Sequence, residues 1–158
     1  MAAYGQGQIS TDENNTYQSF GGTSAAAPSG AGVYTMLLHA YKDMHNGQEP
    51  ESGLLKATVM NTARDLGNVG PDFRFGWGLY NGGRAYNLLK ENRYTTGTVT
   101  QGMTTNHTFT IPANVKEARV MVYWMEPEAS TASAISLVND LDMTVTNGIS
   151  TTQPLVFQ

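Results

Sequence analysis

"SFGGTSAAAPSGAGVYTMLLHAY", residues Ser19–Tyr41, sets a hydroxyl between a glycine pair and a run of alanines, then passes into an apolar pattern of helical period. Val33, Met36, Leu37, Ala40 and Tyr41 recur at three- and four-residue spacing, which predicts a helix from about Ser24 to Asp43. Gly30 and Gly32 would let neighbouring elements come close to that helix. Ser24 stands at its start, where two uses of a hydroxyl compete. It can cap the helix by accepting a backbone N–H. It can instead act as a nucleophile, because a helix N-terminus offers N–H groups to a developing oxyanion, provided a base takes the proton. Gly21 and Gly22 permit a tight approach, Ala25 to Ala27 leave room for a substrate, and Pro28 is tolerated in the first turns.

Residues 4–19, polar and rich in Gly and Asn, read as a loop. Beyond the first helix, "HNGQEPES" is a break, and a second helix is expected from about Glu51 to Arg64, with Leu55, Val59, Thr62 and Ala63 on one face and Gly67 as its terminator. "GPDFRFGWGLYNGG" is a glycine-punctuated turn region, and "GRAYNLLKEN" is a short closing helix. After Tyr94 the period drops from 3.6 to 2 and Thr and Val dominate. "TTGTVTQG", "NHTFTIP", "EARVMVYWME" and "ISLVNDLDMTVT" read as four strands. Ala118, Val120, Val122 and Trp124 would share one face of the third. Leu137, Leu141, Met143 and Val145 would share a face of the fourth, with Asp140 and Asp142 on the other. Successive strands without helices between them suggest a sandwich or jelly-roll. "PLVFQ" at the end reads as part of a further strand. The chain thus divides into an α/β part, residues 1–92, and a truncated all-β sandwich or jelly-roll part, residues 93–158.

The composition of the 158 residues narrows the function. A net charge of −4 with nine basic residues in no cluster argues against nucleic-acid binding. No apolar stretch is long enough to span a bilayer. With no Cys, disulfides and thiolate metal sites are ruled out. "MAAYGQGQIS" has neither the basic start nor the apolar core of a signal peptide.

Gly22, Thr23, Ser24, Ala26 and Pro28, in "GTSAAAP", match the order and spacing that surround the nucleophile of subtilisin-like serine proteases, and the sequence resembles that family, the subtilases. "LLKATVMNTARDLG" is similar to the helix that follows their nucleophile helix, and "GWGLYNGGRAYNLL" to the end of their catalytic domain. "STASAISLVNDLDMTVT" resembles a β-sandwich appended to some bacterial alkaline subtilases. The resemblance implies the C-terminal part of a doubly wound α/β domain followed by the start of that sandwich. It implies a serine endopeptidase with Ser24 as catalytic residue, a polypeptide substrate and a secreted or cell-surface bacterial location. It also implies a catalytic Asp, a His and an oxyanion Asn in the remainder of the catalytic domain, upstream.

The 23 residues before Ser24 contain no His. His39 is fifteen residues along the same expected helix, roughly 22 Å from Ser24 at ~1.5 Å per residue, whereas a general base must come within about 3 Å. The chain by itself is therefore expected to be inactive. Two departures from the family pattern are Ser29, where His is frequent, and Ala25, where Met is frequent. An Ala beside the nucleophile removes an oxidisable thioether, so the full-length enzyme should survive peroxide better than its Ala25→Met variant; equal inactivation of the two would contradict this. No cofactor is needed for the chemistry. Asp140 and Asp142, about 7 Å apart on one strand face, could with Asn139 hold a structural Ca²⁺, although six to eight oxygens are required; two solvated aspartates are the alternative. Trp77 and Trp124 read as packing residues. The competing account of the whole chain is a non-catalytic pseudoprotease remnant, or a calcium-binding β-sandwich interaction module, in which Ser24 only caps a helix.

Overall fold

A computed structural model describes residues 1–155. Its core lies between three helices: α1 (Thr23–Met44), α2 (Ser52–Thr62) and α3 (Gly82–Lys90). Leu37, Val59, Ala85, Leu88 and Leu89 are buried together, and Val33, Tyr34, Tyr41, Leu54, Leu55, Tyr80 and Tyr94 pack around them. The inward stripe of α1 follows Val33, Leu37 and Tyr41, at four-residue steps. Met36, assigned to the same face by its spacing, lies to one side and is 65% exposed. Gly30 makes the expected close approach: a Cβ there would sit 2.9 Å from the Tyr80 hydroxyl. Gly32 does not, since nothing lies within 4 Å of that position.

α2 ends at Thr62 and not at Gly67. Ala63 turns extended (ψ 146), and Arg64 then pairs with Leu79, its N–H and C=O each forming a 2.9 Å bond. That bridge draws the chain out of the helix before Gly67 is reached. Gly67 (φ +82) lies instead against the carboxylate of Asp72, whose oxygens accept backbone N–H groups from Phe75 (2.6 Å), Arg74 (2.8 Å) and Asn68 (3.2 Å). Asp72 is buried, and Asp65 accepts the Gly70 N–H. Two aspartates thus hold "DLGNVGPDFRFGWG" together by satisfying part-buried backbone donors. Leu79 also pairs in parallel with Ala2. Gly78 (φ +99) is needed there, because a Cβ would collide with the Arg64 carbonyl. α3 starts at an Asn81 cap whose side chain accepts the Arg84 N–H at 3.0 Å.

The loop expected over residues 4–19 is largely an antiparallel hairpin. β1 (Gln8–Asp12) pairs with β2 (Thr16–Phe20), Gln8 opposite Phe20 and Asp12 opposite Thr16. Its tip passes through Asn14 (φ +55) and Asn15 (φ +59), a left-handed step that asparagine tolerates. The polar composition that suggested a loop belongs to a ribbon exposed along most of its length, with no apolar face to betray a strand.

The four strands expected between residues 95 and 144 form no ladder among the described residues; the backbone there is irregular, with turns at residues 101–102, 113–114 and 131–132. Among the described residues a short hairpin follows, β3 (Val145–Thr146) with β4 (Thr151–Thr152), turned at Asn147. Extended segments need neighbours to accept their hydrogen bonds and cover an apolar face. The alternating residues Val120 and Val122 remain about 40% exposed (39% and 42%). The sandwich is therefore not assembled here. Of the terminal strand in "PLVFQ", residues 156–158 lie outside the described residues.

Candidate active site

The hairpin delivers the chain to Gly21 and Gly22, and Gly22 is the residue from which α1 starts. Its φ of +78 with ψ −172 is a conformation open to glycine. Gly5 passes close by: Gly22 N–H donates to the Gly5 carbonyl at 2.5 Å, and a Cβ on Gly5 would stand 3.0 Å from the Gly22 carbonyl oxygen. That carbonyl accepts the N–H groups of Ala25 (3.1 Å) and Ala26 (3.2 Å) and closes the first turn.

Ser24 is therefore the second residue of the helix and not its cap. The capping position belongs to Gly22, and no side chain caps the helix. The Ser24 side chain is exposed, and no hydrogen bond engages its hydroxyl among the described residues. The N–H groups of Thr23 and Ser24 likewise have no backbone acceptor, as expected for the first donors of a helix. Pro28, four residues on, has no N–H to give to the Ser24 carbonyl. Ala25 is fully buried, which anchors the turn and leaves Ser24 pointing away from the core. An unengaged hydroxyl beside free N–H donors at a positive helix end suits attack on a carbonyl whose oxygen becomes negative.

Ser29 ties this turn to the hairpin. Its hydroxyl donates to the Ala25 carbonyl (3.0 Å) and accepts from Gln8 Nε2 (3.1 Å), which also donates to the Tyr4 carbonyl (2.5 Å). Sequence reasoning noted Ser29 only as a departure from the family, and missed Gln8 and Gly5, which lie far from Ser24 along the chain.

Among the described residues, no histidine forms a hydrogen bond with Ser24. His39 forms an exposed pair with Asp43 (3.5 Å) on α1. His45 stacks on Tyr41, 3.8 Å between ring centres, and lies within 3.2 Å of the Tyr94 hydroxyl. It fastens the end of α1 to the segment after α3. There burial, with help from the neighbouring Tyr41, holds the Tyr94 hydroxyl above its usual range. His107 is exposed in the unpaired stretch.

The candidate metal residues do not come together as donors. Asp140 and Asp142 are exposed. Asn139 turns its N–H (2.7 Å) and its side-chain amide (3.5 Å) to the carboxylate of Glu126, which the Trp124 indole also meets at 2.7 Å. Partial desolvation pushes Glu126 up, but these donors and the Val138 N–H outweigh it and hold the carboxyl below its ordinary range. No group of three His, Asp or Glu side chains forms among the described residues.

Residues 1–78 match the Subtilase family. Over 66 residues the chain is 42% identical to the neisserial autotransporter lipoprotein NalP of Neisseria meningitidis serogroup B, an alignment covering 42% of this chain and 6% of that protein. Over 79 residues it is 38% identical to an extracellular serine protease of Serratia marcescens, covering 50% of this chain and 7% of that protein. The chain spans well under a tenth of either relative. Among the described residues no helix is long and apolar enough to cross a membrane.

Proposed function

We infer, for a chain that belongs to the subtilase family through residues 1–78, that it contributes the nucleophile of a serine endopeptidase. The observation that carries this reading is the exposed, unengaged Ser24 hydroxyl beside the free N–H groups of Thr23 and Ser24. Ser24 Oγ would attack the carbonyl carbon of an extended peptide. Its proton would pass to a His, oriented by an Asp, and the oxyanion would rest on the Ser24 N–H and an Asn side chain. Collapse expels the amine, which takes the proton from the His, and leaves an acyl group on Ser24; water then releases it by the reverse proton path. This reading places the His, Asp and Asn in polypeptide N-terminal to Ser24. Because no base meets the Ser24 hydroxyl among the described residues, the 158 residues alone should not turn over substrate.

Residues 93–158 are read as the opening strands of a β-sandwich, a reading supported by their period-2 alternation. The names of the two relatives, an autotransporter and an extracellular enzyme, support a secreted or cell-surface bacterial setting. A serine-directed fluorophosphonate probe tests the assignment. The full-length protein should be labelled at Ser24, with labelling lost in Ser24→Ala. Labelling that persists in that variant, or none in the wild type, overturns it.

A further inference from the structure

Residues 117–125 fasten the second part of the chain to α2 at both ends of that helix. Near its start, Gly53 lies beneath the Tyr123 ring, where a Cβ would approach ring carbons at 3.1 and 3.2 Å, and the Lys56 ammonium stands 5.4 Å from the ring centre. Near its end, Asn61 donates to the Arg119 carbonyl (3.3 Å), and Arg119 Nη1 donates to the Ala63 carbonyl at 2.8 Å. Glu117 aims the guanidinium, its carboxylate 2.5 Å from Arg119 Nε. The same contact holds the Glu117 carboxyl below its usual range.

The carbonyl that Arg119 holds is a particular one. Ala63 is fully buried and is the residue at which the chain leaves α2. Carbonyls at a helix C-terminus lack intrahelical donors and carry partial negative charge, which a guanidinium complements. From Ala63 a continuous run of backbone bonds leads to the active serine. Arg64 exchanges both its bonds with Leu79. On the other side of Leu79, Ala2 N–H reaches the Gly78 carbonyl (2.8 Å) and Tyr80 N–H reaches the Ala2 carbonyl (3.3 Å). Three residues on, the Gly5 carbonyl receives the Gly22 N–H, and Gly22 begins the helix that carries Ser24.

We propose that Arg119 is a positioning residue for Ser24: by clamping the Ala63 carbonyl it fixes the Arg64–Leu79–Ala2 rungs, and through them the Gly5–Gly22 contact that sets the nucleophile's turn. The second part of the chain is then a brace on the nucleophile and not merely a neighbour. The catalytic side of this proposal rests on the reading of Ser24 as nucleophile; the structural side does not.

The test is hydrogen exchange together with peptidase kinetics on the full-length protein, comparing Arg119→Met, Arg119→Lys and Tyr123→Ala. Arg119→Met keeps the aliphatic stem and removes the charge and the donors. It should speed exchange of the Leu79 and Gly22 amides about tenfold or more, as loss of a charge-assisted bond implies, and lower kcat several-fold with KM little changed. Arg119→Lys should restore most of both. Tyr123→Ala, which loosens the other end of the same docking, should leave Gly22 exchange and kcat near wild type. Unchanged Gly22 exchange in Arg119→Met overturns the proposal, as does an equal effect of Tyr123→Ala, which would mean general docking only. If the exchange pattern appears but the wild type neither hydrolyses peptides nor takes the fluorophosphonate, the brace stands and the protease reading falls.

Discussion

Gly22 and Ser24 set the start of the helix at this site. The small residues of "GTSAAAP" mark Ser24 because each spacing has a structural use: glycine starts the turn, a buried alanine anchors it, and proline leaves a carbonyl without its helical donor. The motif and its spacing were legible in the sequence; the burial of Ala25, which the sequence offered as room for a substrate, was not. Gly5 and Gln8 were not, since their roles are contacts across the chain that no local pattern encodes. Asp72 was unread for the same reason; in sequence it is one more turn aspartate, and only the fold aims three N–H groups at it. The Phe75 N–H, with those of Arg74 and Asn68, lowers its carboxyl pKa against an opposing desolvation effect. A folded-state pKa below the unfolded one adds stability that is present above the unfolded value and is lost as pH falls through the folded value. The thermal midpoint should therefore drop below about pH 4, more steeply in the wild type than in Asp72→Asn. Parallel melting curves against pH for the two proteins would contradict this.

At the scale of elements, helices were the readable part. α1, α2 and α3 each lie within a few residues of their expected spans, because a buried stripe of period 3.6 is written directly into a helix. Their ends were less readable. α2 stops where the Arg64–Leu79 bridge takes over, a partner fifteen residues away that outweighs the glycine stop signal. The β1–β2 hairpin was hidden by its polarity, and the four later strands were written in alternation but find no ladder here. Alternation specifies a face; it does not supply the neighbour. One local device can be weighed alone. Asn81→Ala removes the side-chain acceptor at the start of α3 and should cost about 1 kcal/mol, read from urea unfolding; a change within error would show that the cap contributes nothing.

On the scale of the whole molecule, one end of the chain holds a core and the other leans on it through α2. The core is small for 158 residues, and large apolar side chains stand exposed, among them Ile9 (71%), Tyr17 (73%) and Met36 (65%). Such surface is ordinarily covered. The chain produced alone should self-associate at micromolar concentration, measured by sedimentation velocity; a stable monomer would contradict this. The most direct test is the rate at which the full-length protein cleaves an unfolded polypeptide, with and without the Ser24 oxygen. In Ser24→Ala, kcat should fall on the order of 10⁶-fold, the figure established for removing the serine of subtilisin itself. Cleavage at an undiminished rate would mean that Ser24 is only a residue in the first turn of a helix.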